Sequence, residues 1–137
     1  MSRILALDFG LRTIGVAMSD PSKKFAFAKE SLANDNSIFT LLPRLVLQEQ
    51  IETIVIGRSS SIMIEEKAEQ FAATLKKLVS IPIKFVDEMF TTKMAKAIPH
   101  ELNMKKTDRQ NFDDNSAAAA YILELYLEQN LESREQN

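Results

Sequence analysis

The stretch that decides the fold is Ile4-Leu5-Ala6-Leu7-Asp8-Phe9-Gly10-Leu11-Arg12-Thr13-Ile14-Gly15-Val16-Ala17-Met18. Its first four residues form an apolar run of the length expected for a buried strand, and its last five predict a second strand. The stretch also holds two of the three glycines in the chain. An acid at the end of a buried strand, followed by a glycine turn, can bring phosphate or metal close to the backbone. Asp8 is therefore the first candidate site residue.

Outward from this hairpin, the chain alternates between predicted strands and helices. The elements are, in order, an edge strand at 25–28, a helix with two alternative starts, a strand at 53–57, a helix at 65–79, a strand at 83–86, a short helix up to 98 and a last helix at 114–129. Two strand–helix–strand crossovers imply parallel neighbours, whereas the opening hairpin implies antiparallel ones. The predicted fold class is α/β, with a mixed five-stranded sheet and helices on both faces.

Three helices carry more detailed predictions. The first helix can be capped by Asn36 or Ser37, which places Pro43 inside it, or by Thr40, which places Pro43 in the first turn, where the missing N–H costs nothing. The second helix has an apolar face made of Ala68, Phe71, Ala72, Leu75 and Leu78. The last helix has a solvent stripe at i, i+4 spacing made of Glu124, Glu128 and Glu132.

Composition indicates a soluble globular domain, with 45% hydrophobic and 26% charged residues. The net charge of −2 is uneven, since the body up to residue 110 is mildly basic and the remainder is strongly acidic. The chain has no cysteine, which excludes disulfides and thiolate metal sites. No signal-peptide pattern and no apolar run of about 18 residues is found. We therefore predict a cytoplasmic protein that has no contact with a membrane.

Acids stand at the ends of three predicted elements. Asp8 ends the first strand, Glu88 ends a later strand, and Asp113 and Asp114 open the last helix. In an open α/β sheet, ligands bind outside the carboxyl ends of the strands, so these carboxylates can converge. A cluster of acids without cysteine suits a hard cation such as Mg²⁺ or Mn²⁺. We predict a site for two such ions, which can promote phosphodiester hydrolysis.

Four segments together resemble one protein family. The opening stretch resembles the first motif of the YqgF (RuvX) family of pre-16S rRNA nucleases, which is related to Holliday junction resolvases and has a ribonuclease-H-like fold. The other three similar segments are Ile54-Val55-Ile56-Gly57, Val86-Asp87-Glu88-Met89-Phe90-Thr91-Thr92 and Ala118-Ala119-Ala120-Tyr121-Ile122-Leu123-Glu124-Leu125-Tyr126-Leu127. They occur in the family's order and cover residues 3–128.

The resemblance assigns Asp8 and Glu88 to the family's first two metal-binding acids. An ungapped alignment places Asn115 where the family usually has the third, an aspartate. A slip of one residue at the helix N-terminus lets Asp114 serve, and Asp113 is a further alternative. The loop after Gly57 is also shorter than the family pattern, so phosphate contacts there fall to Arg58 and the neighbouring serines.

The resemblance implies a metal-dependent endonuclease that processes the 5′ end of pre-16S rRNA. Alternatives are resolution of branched DNA junctions and nucleic-acid binding without catalysis. The hairpin also resembles the first phosphate-binding motif of sugar kinases and actin-like ATPases. Those proteins need two such domains, and this chain is too short to supply both.

The expected partners are pre-rRNA or branched DNA and a pre-ribosomal particle, bound by a monomer or a homodimer. The domain is predicted at residues 1–130, followed by an acidic polar tail at 131–137. Candidate nucleic-acid contacts are Arg12, Arg58, Thr91, Lys93, Lys105, Lys106 and Arg109.

Overall fold

The computed structural model describes residues 2–58, 61–87 and 114–135. Within them lie five strands and three helices. In chain order these are β1 (Arg3–Phe9), β2 (Thr13–Ser19), β3 (Ala26–Ala33), α1 (Ile38–Gln48), β4 (Ile51–Arg58), α2 (Ile62–Lys76), β5 (Ile83–Asp87) and α3 (Asp114–Glu135).

The five strands form one mixed sheet with the order β3-β2-β1-β4-β5. β1, β2 and β3 are antiparallel neighbours, as expected for short connections. β4 is parallel to both β1 and β5, because α1 and α2 carry the chain back across the sheet. The predicted mixed five-stranded sheet, with its antiparallel and parallel neighbours, is confirmed. The carboxyl ends of β1, β4 and β5 therefore meet at one edge, which we call the site edge.

Helices cover both faces of the sheet, and each face has its own core layer. Side chains alternate along a strand, so Leu5, Leu7 and Phe9 of β1 face one layer and Ile4 and Ala6 face the other. The first layer is closed by buried residues of α1 and α2, and the second by α3. The central strands are buried on both sides, which explains why they read as continuous apolar runs.

The first helix begins earlier than the Thr40 alternative requires. Its N-cap is Ser37, and Pro43 lies inside it. Ile38 is fully buried, and its packing into the core holds the first turn in place. The N–H of Leu41 donates to the carbonyl oxygen of Ser37 at 3.0 Å, so the helical ladder is already formed before Pro43. The Ser37 alternative is therefore the correct one.

The second helix is shifted relative to its predicted bounds of 65–79. It spans Ile62–Lys76, and Ala68, Phe71, Ala72 and Leu75 are buried as predicted. The prediction for Leu78 is wrong, since its side chain is 49% exposed. Because the helix ends before Leu78, the helical periodicity no longer directs this side chain to the core.

The last helix begins at Asp114 as predicted and runs to Glu135, six residues past the predicted end at 129. Glu124 and Glu128 are exposed, as the predicted stripe requires. The short helix expected before Pro99 and the polar segment at 103–111 lie outside the described residues. Within the described part of the chain, no helix combines the length and the apolar character needed to cross a membrane.

Candidate active site

Asp8 lies near the carboxyl end of β1, one residue before the strand ends. It pairs with Gly15 of β2 in the antiparallel ladder. By strand alternation it shares a face with Ile4 and Ala6, which pack against α3. Its own side chain is only half-buried, whereas the residues on either side of it are buried. The half-buried carboxylate of Asp8 thus lies at the site edge, at the end of a central strand and on the face that α3 covers.

The turn that follows Asp8 is tight and is held by Asn34. A Cβ on Gly10 would lie 2.5 Å from the carbonyl oxygen of Thr13, so only glycine fits there. The Asn34 side-chain amide donates to the carbonyl oxygen of Gly10 at 2.7 Å. Its backbone N–H donates to the carbonyl oxygen of Arg12 at 2.9 Å. The exposed side chain of Arg12 is consequently presented at the site edge, close in sequence to Asp8.

The first turn of α3 packs directly on β2 beside Asp8. A Cβ on Gly15 would lie 1.9 Å from the carbonyl oxygen of Asn115, so the two backbones are in contact. The side-chain amide of Asn115 donates to Oγ1 of Thr13 at 2.6 Å. The N–H of Val16 donates to Oγ of the buried Ser116 at 3.1 Å. The positive end of the dipole of α3 therefore lies near Asp8, where it favours negative charge.

The ends of β4 and β5 lie level with Asp8. Leu7 of β1 pairs with Ile56 of β4, and Gly57, the next residue, pairs with Val86 of β5. Neighbouring strands are about 4.8 Å apart, so β5 lies roughly 10 Å from β1. β5 ends at Asp87, and the residue that follows it in the chain is Glu88.

The structure locates some of the predicted site residues and not others. Asp8 and Arg12 are described with their side chains, whereas Arg58 and Asp114 are placed through their backbones, at the end of β4 and the start of α3. All four belong to elements that meet at the site edge. The remaining candidates lie outside the described residues: Glu88, Thr91, Lys93, Lys105, Lys106, Arg109 and Asp113. Among the described residues alone, no group of three Asp, Glu, His or Cys forms a metal cluster.

Three residues at the site edge were not predicted from the sequence. Asn34 fixes the turn after Asp8, and Thr13 and Ser116 fix the start of α3. The sequence holds a weak indication of the role of Ser116, since it is a polar residue that precedes an alanine run on a helix. The sequence holds no indication of the role of Asn34, because its partners are backbone carbonyl groups remote in sequence.

Comparison with known proteins shows the family to which the chain belongs. The family model RuvX, described as Holliday junction resolvase, matches residues 2–129. A protein of Dictyoglomus turgidum named "Putative pre-16S rRNA nuclease" is 35% identical over 133 residues, which cover 92% of this chain and 94% of the relative. A protein of the same name from a Sulfurihydrogenibium species is 37% identical over 135 residues, covering 93% and 91%.

Solved structures share the fold at low sequence identity. Thermus thermophilus RuvC in complex with a Holliday junction substrate has a TM-score of 0.62 at 9% identity, covering 96% of each chain. The yeast mitochondrial Holliday junction resolvase Ydc2 also has a TM-score of 0.62, at 11% identity, covering 92% of this chain and 78% of its own. The fold is thus ribonuclease-H-like, as the resemblance of the sequence motifs implies. By the match over nearly its whole length and by its relatives, this chain belongs to the RuvX family.

Proposed function

We propose that this chain is a metal-dependent endonuclease that hydrolyses phosphodiester bonds in structured nucleic acid, and that it processes the 5′ end of pre-16S rRNA. The observation that supports this most strongly is the seating of the start of α3 on Gly15, the strand partner of Asp8. Two of the three acid-bearing segments are thereby brought together at one end of the sheet. The third segment follows β5, which ends at the same edge.

In this proposal Asp8, Glu88 and Asp114 hold Mg²⁺ or Mn²⁺, with Asp113 as a further ligand. The donor set fits such ions, since Asp8 offers carboxylate oxygens from a rigid strand and the chain contains no cysteine. When bound, a pair of these ions supplies an activated water and charge stabilisation for phosphodiester hydrolysis. We place the nuclease domain at residues 1–130.

The protein's own side chains also orient the substrate. The exposed guanidinium of Arg12 lies one tight turn away from Asp8 and can contact a phosphate beside the scissile bond. Arg58 ends β4 at the same edge. We assign the further backbone contacts to Thr91, Lys93, Lys105, Lys106 and Arg109, which follow β5 in the chain. We expect the substrate to be pre-rRNA in the cytoplasm, free or in a pre-ribosomal particle, with the protein acting as a monomer or a homodimer.

A second candidate function is the resolution of four-way DNA junctions. The description of the family model, Holliday junction resolvase, favours it. The two functions require the same acids, so they differ in the substrate that is cleaved and not in the metal site.

The test is cleavage by the purified chain with Mn²⁺ or Mg²⁺. The substrates are a pre-16S leader RNA, an unstructured RNA and a four-way DNA junction. We expect specific cleavage of the leader RNA by the wild type and none by Asp8→Asn. Preferential cleavage of the junction would favour the second function. No cleavage of any substrate by the wild type, with an equal metal response in both proteins, would indicate a non-catalytic nucleic-acid-binding relative.

A further inference from the structure

We infer that Ser116 and Thr13 are positioning residues that fix the first turn of α3, and with it Asp114, relative to Asp8. This inference rests on the proposed function, because it explains how two of the proposed metal-binding segments are held in register. It is carried by three contacts between β2 and the first turn of α3. Each contact joins residues about a hundred positions apart in the chain.

The first contact is a buried hydrogen bond. Oγ of Ser116 accepts the N–H of Val16 at 3.1 Å. Ser116 is fully buried and Val16 is 2% exposed, so no water replaces this bond. The bond lies where the pairing of β2 with β3 is irregular, since Ile14 pairs with Leu32 but Val16 pairs with Lys29. A bulge of this kind disturbs the local ladder, and the Val16 N–H is bonded by the helix at this point.

The second contact lies one residue earlier on the helix. The amide nitrogen of Asn115 donates to Oγ1 of Thr13 at 2.6 Å. Thr13 and Gly15 are two residues apart on β2 and so face the same side of the sheet. The hydroxyl of Thr13 therefore ties the helix start to the same face that carries Asp8.

The third contact sets the depth at which the helix sits. The carbonyl group of Asn115 occupies the space where a side chain on Gly15 would stand, at 1.9 Å from the ideal Cβ position. Gly15 is the direct partner of Asp8 across the β1–β2 ladder. Paired residues on one face have their Cβ positions about 5 Å apart. The backbone of Asn115, the neighbour of Asp114, is thus held within reach of Asp8.

These contacts matter because the end of a helix is otherwise adjustable. The first turn of a helix frays readily, whereas metal ligands must be held to within about half an ångström of their working geometry. Partners that orient metal ligands typically change metal affinity 10- to 100-fold when they are removed. We therefore assign Ser116 and Thr13 the task of keeping Asp114 in that geometry before metal binds.

The test compares two variants that lose a hydroxyl with two that do not. Ser116→Ala and Thr13→Val each remove one contact with little change of shape. Thr13→Ser keeps the hydroxyl and serves as the conservative rescue. Ile122→Val is the control for general loosening of α3, because Ile122 is buried on the same helix and packs against Gly57. The readouts are the Kd for Mn²⁺ by calorimetry, the melting temperature without metal, and the Mn²⁺ concentration that gives half-maximal cleavage.

We expect the Kd for Mn²⁺ to rise about tenfold or more in Ser116→Ala and Thr13→Val. It should stay within about twofold of wild type in Thr13→Ser and Ile122→Val, although Ile122→Val also lowers the melting temperature. Wild-type Kd values in both hydroxyl-deficient variants would overturn the inference, as would an equal rise in Ile122→Val. If Ser116→Ala does not fold, the Thr13→Val and Thr13→Ser pair gives the answer. Absence of Asp8-dependent Mn²⁺ binding by the wild type would overturn the proposed function itself, and this inference with it.

Discussion

The two edges of the sheet each carry an aspartate at the end of a strand, but the surroundings of these acids differ. Asp20 follows β2 at the edge opposite the site edge. Its carboxylate accepts the N–H groups of Lys24 and Phe25 at 2.8 Å each, and both the N–H and the hydroxyl of Ser22. These donors belong to the turn that Asp20 itself opens. Asp20 therefore stabilises its own turn.

The site edge is organised in another way. There the polar contacts join separate elements: Asn34 bonds the turn after β1, and Thr13 and Val16 bond the start of α3. These contacts form a frame around Asp8. The comparison separates an acid that serves its own turn from one that lies within contacts between separate elements, and it makes Asp8 the candidate for a functional role. The predictions below compare the two edges, beginning with the largest expected effect.

The largest expected difference between Asp8 and Asp20 is in the cleavage rate after the carboxylate is removed. Asp8→Asn is expected to reduce cleavage of the leader RNA at least about a thousandfold, because several kcal/mol of transition-state stabilisation depend on the proposed metal site. Asp20→Asn is the matched control and should cleave at the wild-type rate below its melting temperature. Equal activity of the two variants in single-turnover cleavage would place the reaction elsewhere.

The close approach of α3 to the sheet should appear in the free energy of unfolding. Gly15→Ala is expected to destabilise the protein by about 3 kcal/mol, since the added Cβ meets backbone atoms that cannot rotate away. Gly57→Ala is the matched control, because the atoms that its Cβ would crowd, Cδ1 and Cγ1 of Ile122, belong to a side chain and not to the backbone. A cost of about 1 kcal/mol is expected there. Urea titration measures the free energy of unfolding of both variants. A smaller loss in Gly15→Ala than in Gly57→Ala would contradict the close packing of α3 on β2.

A phosphate contact by Arg12 predicts a smaller effect, on affinity. Arg12→Gln should weaken binding of the leader RNA by about 1 kcal/mol, or roughly fivefold, and should reduce the slope of log K against log salt. Lys24→Gln removes a positive charge that is also exposed, at the opposite edge, and should leave the affinity nearly unchanged. Identical losses in both variants, measured by fluorescence anisotropy, would mean that only net charge matters.

The smallest effect concerns the dependence of stability on pH. Hydrogen bonds from Ser22, and then from the backbone N–H of Phe25, hold the pKa of Asp20 well below its ordinary value of 3.8. A group whose pKa is lowered by folding contributes stability above its unfolded pKa and loses that contribution as the pH falls toward its folded pKa. The melting temperature should therefore fall less steeply below pH 4 in Asp20→Asn than in the wild type. Parallel profiles in a pH series of thermal melts would contradict this assignment.

The sequence was sufficient for the fold because its signals are local and strong. The apolar runs of β1 and β4 are buried on both faces, and crossovers through α1 and α2 require parallel neighbours. The sequence alone does not choose between the two starts of α1, because the burial of Ile38 is a tertiary effect that Pro43 does not reveal.

The candidate site was predictable in part. Asp8 stands out as an acid that ends an apolar run before a glycine turn. Ser116 and Thr13 do not, because their roles arise from contacts between segments about a hundred residues apart. The close approach at Gly15 was likewise not predictable, since the same glycine also suits a hairpin.

The most direct test of the central claim is the response of the melting temperature to Mn²⁺ in the wild type and in Asp8→Asn. A ligand that binds only the folded state raises its stability with concentration. We expect Mn²⁺ to raise the melting temperature of the wild type and to leave that of Asp8→Asn unchanged. Without metal, Asp8→Asn should melt no lower than the wild type, because the loss of one acid relieves repulsion within the proposed cluster of acids. An equal rise with Mn²⁺ in both proteins would contradict a metal site built on Asp8.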